Sequence, residues 1–289
     1  MSLDEFVQMS LTGVNLGLMY GLIAIGLTLI FGVMRIIQYA HGELFMLGAF
    51  FLYYWFVEWG LPYWIGVAAS AVVIFIVGAL LQVLLFRPLQ GQNILYPLAV
   101  SMGLIFIISS GGLLVFGTTV KGIPSVVSGG TMVLGAFYSY ERMVISLFSA
   151  GLIASLWFVL QKTTIGMAMR AVSEDPEVSA LQGIRTQRIH WIAFGLGSAL
   201  AAVAGCLMGT LLSIVPTMGF LATIKAFMIV IMGGLGSVPG ALVGGLILGM
   251  IDSFVTTLVS ADVAYIMSFV VIFLILVFRP SGLFGQQWD

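Results

Sequence analysis

The sequence predicts an all-α integral membrane protein, a polytopic helical bundle of eight or nine spans with one glycine-rich broken or re-entrant helix. Two observations about composition predict this class. The 289 residues are 61% hydrophobic and only 7% charged, whereas soluble domains are about 25% charged. There are 36 glycines, which is typical of membrane helices that pack closely. This composition excludes a soluble enzyme, a secreted disulfide scaffold and a disordered tail.

The order of the spans follows from nine uncharged runs, since about 20 apolar residues cross the hydrocarbon core. The runs are Leu11–Val33, Leu44–Val57 (extended back toward Ala40), Pro62–Phe86, Ile94–Phe116, Met143–Leu160, Trp191–Val215, Ala226–Leu235, Gly240–Val259 and Val263–Phe278. The seventh is too short to span alone, so it is either a short helix or half of a broken one. Continuously apolar runs exclude a closed β-barrel. We therefore treat residues 1–289 as one transmembrane domain.

The basic residues predict the orientation of these spans. Met1–Phe6 has no Lys or Arg before the first apolar run, so we expect no cleaved signal peptide and an external N-terminus. Alternating nine spans from that start divides the basic residues unequally between the two sides. Seven fall inside (Arg35, Arg87, Lys162, Arg170, Arg185, Arg188, Arg279) and three outside (Lys121, Arg142, Lys225). Cytoplasmic loops carry such an excess, and the C-terminus is then cytoplasmic.

The loop 161–190 is the most informative polar segment. Asp175-Pro176-Glu177 predicts a helix start, because Asp caps free N–H groups, Pro suits the first helical position and acids complement the positive end. Gly183 predicts the stop, which gives a short helix over Pro176–Gln182. Two interpretations remain open for this helix: an amphipathic connector between spans, or a docking helix for a cytoplasmic partner.

Polar residues within or beside the spans are candidates for a translocation pathway. Asn15 lies in the first run, and an interhelical hydrogen bond is favoured over a place in the pathway. His41 and Glu43 follow that run, either at an interfacial turn or in the pathway. Asp252 lies inside the eighth run, where capping or an interhelical bond is favoured over a direct role with substrate.

Glycines interrupt the apolar sequence between residues 233 and 245. Gly233, Gly234 and Gly236 are the pathway candidates there, because unwound backbone at membrane depth is tolerated where it is buried in protein or lines a water-filled path. The alternative is a short loop at the inner surface. We expect bulky replacements of Gly234 and Gly236 to block transport without preventing assembly.

Several kinds of chemistry are missing from the sequence. No Gly-x-x-x-x-Gly-Lys-[Ser/Thr] or His-Glu-x-x-His motif occurs, so we expect no ATP hydrolysis by a P-loop and no zinc protease chemistry. Two histidines and one cysteine form no evident metal cluster, and a net charge of −1 does not indicate nucleic acid. We therefore expect no catalytic residues, metal, cofactor or nucleic-acid partner. A stand-alone secondary transporter or channel would show paired intramembrane acids or a filter motif, and neither is evident.

Five stretches resemble the permeases of branched-chain amino-acid ABC importers. Gly26–Val33 followed by Ala40-His41-Gly42-Glu43 is similar to the first block of that family, although Gln38-Tyr39 replaces its usual Asn-aromatic pair. The other similar stretches are Glu177-Val178-Ser179-x-x-x-Gly183, which resembles the Glu-Ala-Ala-x-x-x-Gly loop with two departures; the context Thr164-Ile165-Gly166 with Met169-Arg170-Ala171; Gly233–Ser237 with Pro239-Gly240-Ala241; and Arg279–Gly285. The matches run through nearly the whole chain in the same order, and the subclass is similar to the first permease of leucine/isoleucine/valine importers.

This resemblance implies a permease subunit of an ATP-driven importer in the bacterial plasma (inner) membrane. It implies four kinds of partner: a second permease subunit, expected to be a homologous different chain, two cytoplasmic ATPase subunits, an extracytoplasmic substrate-binding protein, and the lipid bilayer. The residues expected to couple to the ATPase are Arg170, Asp175, Glu177, Ala180, Gly183 and Arg185. Urea and short-amide importers have similar permeases, so that substrate class stays open as an alternative.

Overall fold

A computed structural model describes residues 2–93 and 95–285 of the chain. The helices in that part are α1 (Leu3–Met34), α2 (His41–Tyr53), α3 (Tyr63–Leu81), α4 (Leu95–Phe116), α5 (Tyr140–Lys162), α6 (Thr164–Glu174), α7 (Pro176–Leu181), α8 (Thr186–Leu211), α9 (Met218–Gly233), α10 (Val238–Leu258) and α11 (Ala261–Phe278). Strands β1 (Gly130–Val133) and β2 (Ala136–Ser139) form an antiparallel hairpin. A π-helical turn extends α2 to Glu58, and a π and a 3₁₀ turn extend α3 to Leu89. Ile94, where the fourth predicted run begins, lies outside the described residues.

Seven of the described helices are long and apolar enough to cross a membrane, and α9 is a shorter apolar helix. The seven are α1, α3 with its extension, α4, α5, α8, α10 and α11. Every predicted run contains a helix, which confirms the polytopic all-helical class. The predicted short seventh run becomes α9, with 16 residues.

Helices α1 and α10 pack against each other along their length through small residues. A Cβ atom placed on Gly17 of α1 would lie 2.8 Å from the Cα of Leu246, and one placed on Gly245 of α10 would lie 2.8 Å from the carbonyl oxygen of Gly17. Backbones this close leave no room for side chains between them. The stripe of glycines in the first span is therefore used for helix packing.

The bundle has two distinct ends. The β-hairpin and the start of α1 lie at one, the hairpin end, where Gly135 packs against Asp4. The segment α6–α7 lies at the other, the loop end, together with the C-terminal stretch, because Arg35, Arg170 and Phe284 line the same cavity. The start of α1 and residue 285 therefore lie at opposite ends of the bundle, as nine alternating runs require.

Two helices begin halfway through the bundle. The Nε2–H of His41, in the first residue of α2, donates to the carbonyl oxygen of Ile23 at 3.1 Å. Ile23 lies 11 residues before the end of α1, about 17 Å at 1.5 Å per residue. Residues 35–40, which are not helical, cover that return, since six extended residues reach about 20 Å. α2 then runs from mid-depth toward the hairpin end.

The same arrangement recurs in the second half of the chain with the opposite direction. α8 ends at Leu211, residues 212–217 turn back into the bundle, and α9 begins at Met218 beside Gly42 of α2. α1 and α8 cross at their glycines: a Cβ placed on Gly26 would meet the carbonyl oxygen of Gly197, and one on Gly197 would meet that of Gly26. These reciprocal contacts are typical of an inverted repeat.

The structure changes two expectations about the second half. The glycine-rich stretch 233–245 is not one unwound segment: only residues 234–237 separate α9 from α10, and the helix break at mid-depth lies earlier, at 212–217. Lys225 does not belong to an outer loop. It lies within α9 and pairs with Asp252, because a charge can enter the bundle when a partner of opposite sign is buried with it.

Candidate functional site

The short helix α7 projects from the loop end as a capped, exposed unit. The carboxylate of Asp175 accepts from the backbone N–H groups of Glu177 and Val178 at 2.9 and 3.0 Å, as the sequence predicts. The helix ends with Ile184 N–H bonded to Ser179 O and Gly183 N–H bonded to Ala180 O, which is a Schellman motif. The motif requires a left-handed residue, and Gly183 supplies it with φ +86°.

Most of the side chains of α7 point to solvent. Glu177, Val178 and Ala180 are exposed, and Leu181 is 88% exposed. Ser179 is the buried anchor on the opposite face. Val178 and Leu181 lie three residues apart, so α7 carries two exposed apolar side chains on one face.

Helix α6 attaches α7 to the spans. Its N-cap Thr163 accepts from Gly166 N–H at 3.2 Å, and Arg170 donates to the carbonyl oxygen of Leu160 at the end of α5. Arg35, which follows α1 in the left-handed conformation at φ 54°, donates to the carbonyl oxygens of Ser173 and Glu174 at 3.3 and 3.4 Å. The loop is thus connected to α5, and through Arg35 to the segment that returns into the bundle. Arg185, the N-cap residue of α8, is exposed beside it.

The first turns of α2 and α9 meet at mid-depth in what we call the junction. Thr223 Oγ1 of α9 accepts from Gly42 N–H at 3.0 Å and donates to the carbonyl oxygen of Tyr39 at 3.1 Å. A Cβ placed on Gly219 would lie 2.8 Å from Gly42 O, and one on Gly42 would overlap Gly219 O. The side chain of Tyr39 stacks on Phe227 with ring centroids 4.7 Å apart. Two glycines therefore allow two helix N-termini to touch.

Glu43 lies in the junction, in the first turn of α2. Its side chain is 0% exposed, and its Oε2 would lie 2.8 Å from a Cβ on Gly219. Within the described part of the chain, neither carboxylate oxygen has a hydrogen-bond partner, and the same holds for both amide atoms of Gln38 and for Nδ1 of His41. Glu43 is not at an interfacial turn, because α2 begins at mid-depth, at the level of Ile23.

The predicted intramembrane acid Asp252 belongs to a different cluster. It forms an ion pair with Lys225 of α9, accepts from Tyr20 OH of α1 at 2.8 Å and from Ser268 OH of α11 at 3.4 Å. The ammonium group of Lys225 also lies 4.7 Å from the ring centroid of Tyr20 and 5.0 Å from that of Tyr265. Four helices meet at this pair, so its geometry is that of an interhelical bond.

Asn15 also makes the interhelical bond that the sequence favours. Its Nδ2 donates to the carbonyl oxygen of Arg142 at 3.0 Å and to Ser146 Oγ at 2.7 Å, both on α5. It lies nearer the hairpin end than the junction, because the same stretch of α5 begins at the hairpin.

The predicted glycines occupy the turn between α9 and α10 at the loop end. A Cβ on Gly233 would overlap the backbone of Gly240, and one on Gly234 would meet the backbone of Gly285. The C-terminal stretch closes on this turn: Leu283 N–H donates to Met232 O at 2.9 Å and Phe284 N–H to Gly233 O at 3.0 Å. It thereby satisfies the carbonyl groups that end α9.

Gly236 is less crowded. It lies beside a cavity of about 560 Å³ between α1, α5, α6 and this turn, whose lining includes Arg35, Trp157, Arg170 and Ser237. The nearest atom to a Cβ on Gly236 is the Cα of Gly32 at 3.6 Å. Of the three glycines, only Gly236 therefore borders open space.

The structure thus places most of the candidate residues in three groups, apart from Asn15, which bonds to α5, and Asp252, which pairs with Lys225. The loop candidates lie together at α6–α7, His41 and Glu43 lie at the junction, and Gly233, Gly234 and Gly236 lie at the α9–α10 turn. Sequence reasoning missed Lys225, although an unpaired Asp252 in an apolar run calls for a nearby cation. It also missed Gly219 and Thr223, for which no local pattern signals a contact with residue 42.

This arrangement defines a helical membrane protein with two helices that begin at mid-depth and a projecting loop at one end. A sequence profile described as the permease component of the branched-chain amino acid transport system matches residues 9–276. The high-affinity branched-chain amino acid transport permease BraD of Pseudomonas aeruginosa is 32% identical, over 98% of this chain and 96% of its own length. LivH of Escherichia coli K12, named for the same system, is 32% identical over 97% and 96%. The fructose import permease FrcC of Rhizobium meliloti is 33% identical over only 37% of this chain.

No solved structure matches the chain significantly. The profile and the BraD and LivH matches nevertheless extend over nearly its whole length and include α2, α7 and α9. The chain belongs to the family of branched-chain amino acid transport permeases, which confirms the resemblance seen in its motifs.

Proposed function

We propose that this chain is the transmembrane permease subunit of an ATP-driven importer for branched-chain amino acids. The observation that carries the proposal is α7, a rigid helix with an exposed apolar residue at the end of a membrane bundle. Its relatives BraD and LivH are named for transport of branched-chain amino acids. The chain itself has no P-loop motif, so the energy comes from another subunit.

The loop end is the side that meets the ATPase subunits. Leu181 and Val178 of α7 enter a groove of the ATPase, and Glu177 lies at the rim. Arg170 and Asp175 stabilise the loop, because Arg170 caps the end of α5 and Asp175 caps the start of α7. Movement of the ATPase then reaches α5 through α6, and reaches the junction through Arg35 and residues 35–40.

The loop end faces the cytoplasm of a bacterial cell, and the protein lies in the plasma (inner) membrane. Supporting this orientation, Arg87, Arg185 and Arg188 line one pocket at the loop end, and basic residues favour the cytoplasmic side. Reassigning Lys225 to the bundle leaves Lys121 and Arg142 as the basic residues of the hairpin end. The hairpin then faces a substrate-binding protein outside, and a homologous second permease completes the pathway.

Affinity purification from native membranes tests the docking step. A tagged wild-type chain should retain a nucleotide-hydrolysing subunit, and Leu181→Asp should retain at least tenfold less of it. Met132→Asp is the matched control, because Met132 is 69% exposed at the hairpin end. Equal recovery of the ATPase with all three chains, or its absence from the wild-type preparation, contradicts the proposal.

A further inference from the structure

The junction carries polar groups that the packing of the helices does not use. Residues 38–43 contribute five buried side-chain atoms without a hydrogen-bond partner among the described residues: two on Gln38, one on His41 and two on Glu43. All three side chains are 0% exposed. Buried polar groups are costly unless they are paired, and costlier still at membrane depth. Of these groups, the Glu43 carboxylate faces the first turn of α9 at Gly219, so it is the group at the junction that a polar ligand would meet.

The charges at the junction match the two ends of an amino acid. The N-terminal turns of α2 and α9 meet there, and no side chain caps the amides of α9 that follow Met218. Helix N-termini carry partial positive charge and N–H donors, which suit a carboxylate. Beside them, Glu43 offers two acceptor oxygens, which suit an ammonium group. Ser109 of α4 approaches the Glu43 carboxylate without reaching hydrogen-bonding geometry.

Position also favours this assignment. Interrupted helices whose N-termini meet near the middle of the membrane are a recurring way to hold a substrate in transit. The Lys225–Asp252 cluster also contains a cation and an acid, but these two groups are paired with each other. The cavity beside Gly236 lies at the loop end and uses Arg35 and Arg170 to hold helix ends.

We propose that the junction binds the zwitterionic head of the amino acid during transport. Glu43 receives the ammonium group, the first-turn amides of α9 receive the carboxylate, and the aliphatic side chain remains in the apolar surroundings. This inference rests on the proposed function, because it names where that substrate binds. Access requires α2, α4 and α9 to separate at Glu43, which is the movement that the loop end would drive.

Photo-leucine, the diazirine analogue of leucine, tests the site in the wild-type protein. The complete importer is reconstituted in liposomes, supplied with binding protein and ATP, irradiated during turnover and digested for mass spectrometry. Adducts should concentrate in the peptides that hold residues 38–46 and 215–223. Adducts confined to other parts of the chain would overturn the proposal on the wild-type protein alone.

Charge dependence is tested by three matched substitutions in the same assembly. Glu43→Gln should lower the rate of leucine uptake about tenfold to a hundredfold, the expected loss of a hydrogen-bonded charge. It should also remove most of the photo-leucine adducts. Glu43→Asp should restore part of both, and Glu58→Gln, at the exposed end of the same helix, should behave as wild type.

The outcomes separate this inference from the proposed function. Leucine uptake by Glu43→Gln at the wild-type rate, with labelling of the junction unchanged, would overturn the site and leave the importer assignment intact. A role of Glu43 limited to fold stability predicts a lower unfolding temperature with unchanged labelling per folded molecule, which also contradicts the site. Failure of the wild-type assembly to transport any branched-chain amino acid would reject both proposals.

Discussion

The buried pair Lys225–Asp252 should stabilise the bundle through mutual compensation of charge. Its side chains are 13% and 9% exposed, so removing one partner leaves the other charge buried and unpaired. Such single replacements cost about 3–5 kcal/mol in proteins. At roughly 2–4 °C per kcal/mol for a chain of this size, Lys225→Met or Asp252→Asn should lower the midpoint of thermal unfolding by on the order of 10 °C.

The double variant tests whether compensation is the cause. Lys225→Met with Asp252→Asn removes both charges, and the new amide can still bond Tyr20 and Ser268. We therefore expect the double variant to unfold at a clearly higher temperature than either single variant. The interaction energy between the two positions should be about 3 kcal/mol. The assay heats the detergent-purified chain to a series of temperatures and measures the remaining folded protein by size-exclusion chromatography.

A matched control distinguishes this pair from charge removal in general. Asp262→Asn removes an exposed acid from the first turn of α11 and should shift the midpoint by far less. If the two single effects simply add in the double variant, the pair is not coupled and the reasoning is wrong.

Three further predictions concern the loop end. Gly183→Val places a β-branched residue at φ +86° and should uncouple ATP hydrolysis from uptake in reconstituted importer while membrane insertion stays normal; wild-type uptake would count against a coupling role. Gly236→Val should block uptake with assembly preserved. Gly234→Val should displace the C-terminal stretch and lower the unfolding temperature. If Gly236→Val lowered the unfolding temperature and Gly234→Val only blocked uptake, the packing described would be wrong. Arg35→Gln should reduce the rate of uptake several-fold while the rate of ATP hydrolysis stays constant. Measuring both rates in the same preparation checks this. Equal losses of both rates would show that Arg35 does not transmit movement from the loop to the spans.

The sequence predicts features that depend on local composition. A span requires about 20 apolar residues wherever it packs, so the nine runs are visible without tertiary information. The caps of α7 are equally local. Asp175 bonds amides two and three residues away, and Gly183 adopts the left-handed backbone conformation that its own position requires. Both features are confirmed.

Features that depend on distant contacts were missed or misplaced. Lys225 was assigned outside the membrane because a charge ordinarily ends an apolar run, and only its pairing with Asp252 on another helix keeps it inside. The mid-depth starts of α2 and α9 depend on Gly42 meeting Gly219, 177 residues apart by their numbers. The predicted sixth run extends to Val215, whereas α8 ends at Leu211, because the return of residues 212–217 into the bundle depends on that contact.

The central claim is that this permease has no energy source of its own and is moved through α7. Radiolabelled leucine uptake into liposomes, measured with the purified chain alone and with the chain joined to its second permease, ATPase subunits and binding protein, tests it most directly. Only the complete assembly should accumulate leucine against its gradient, and only with ATP. Accumulation by the solitary chain, or by an assembly whose ATPase cannot hydrolyse ATP, would contradict it.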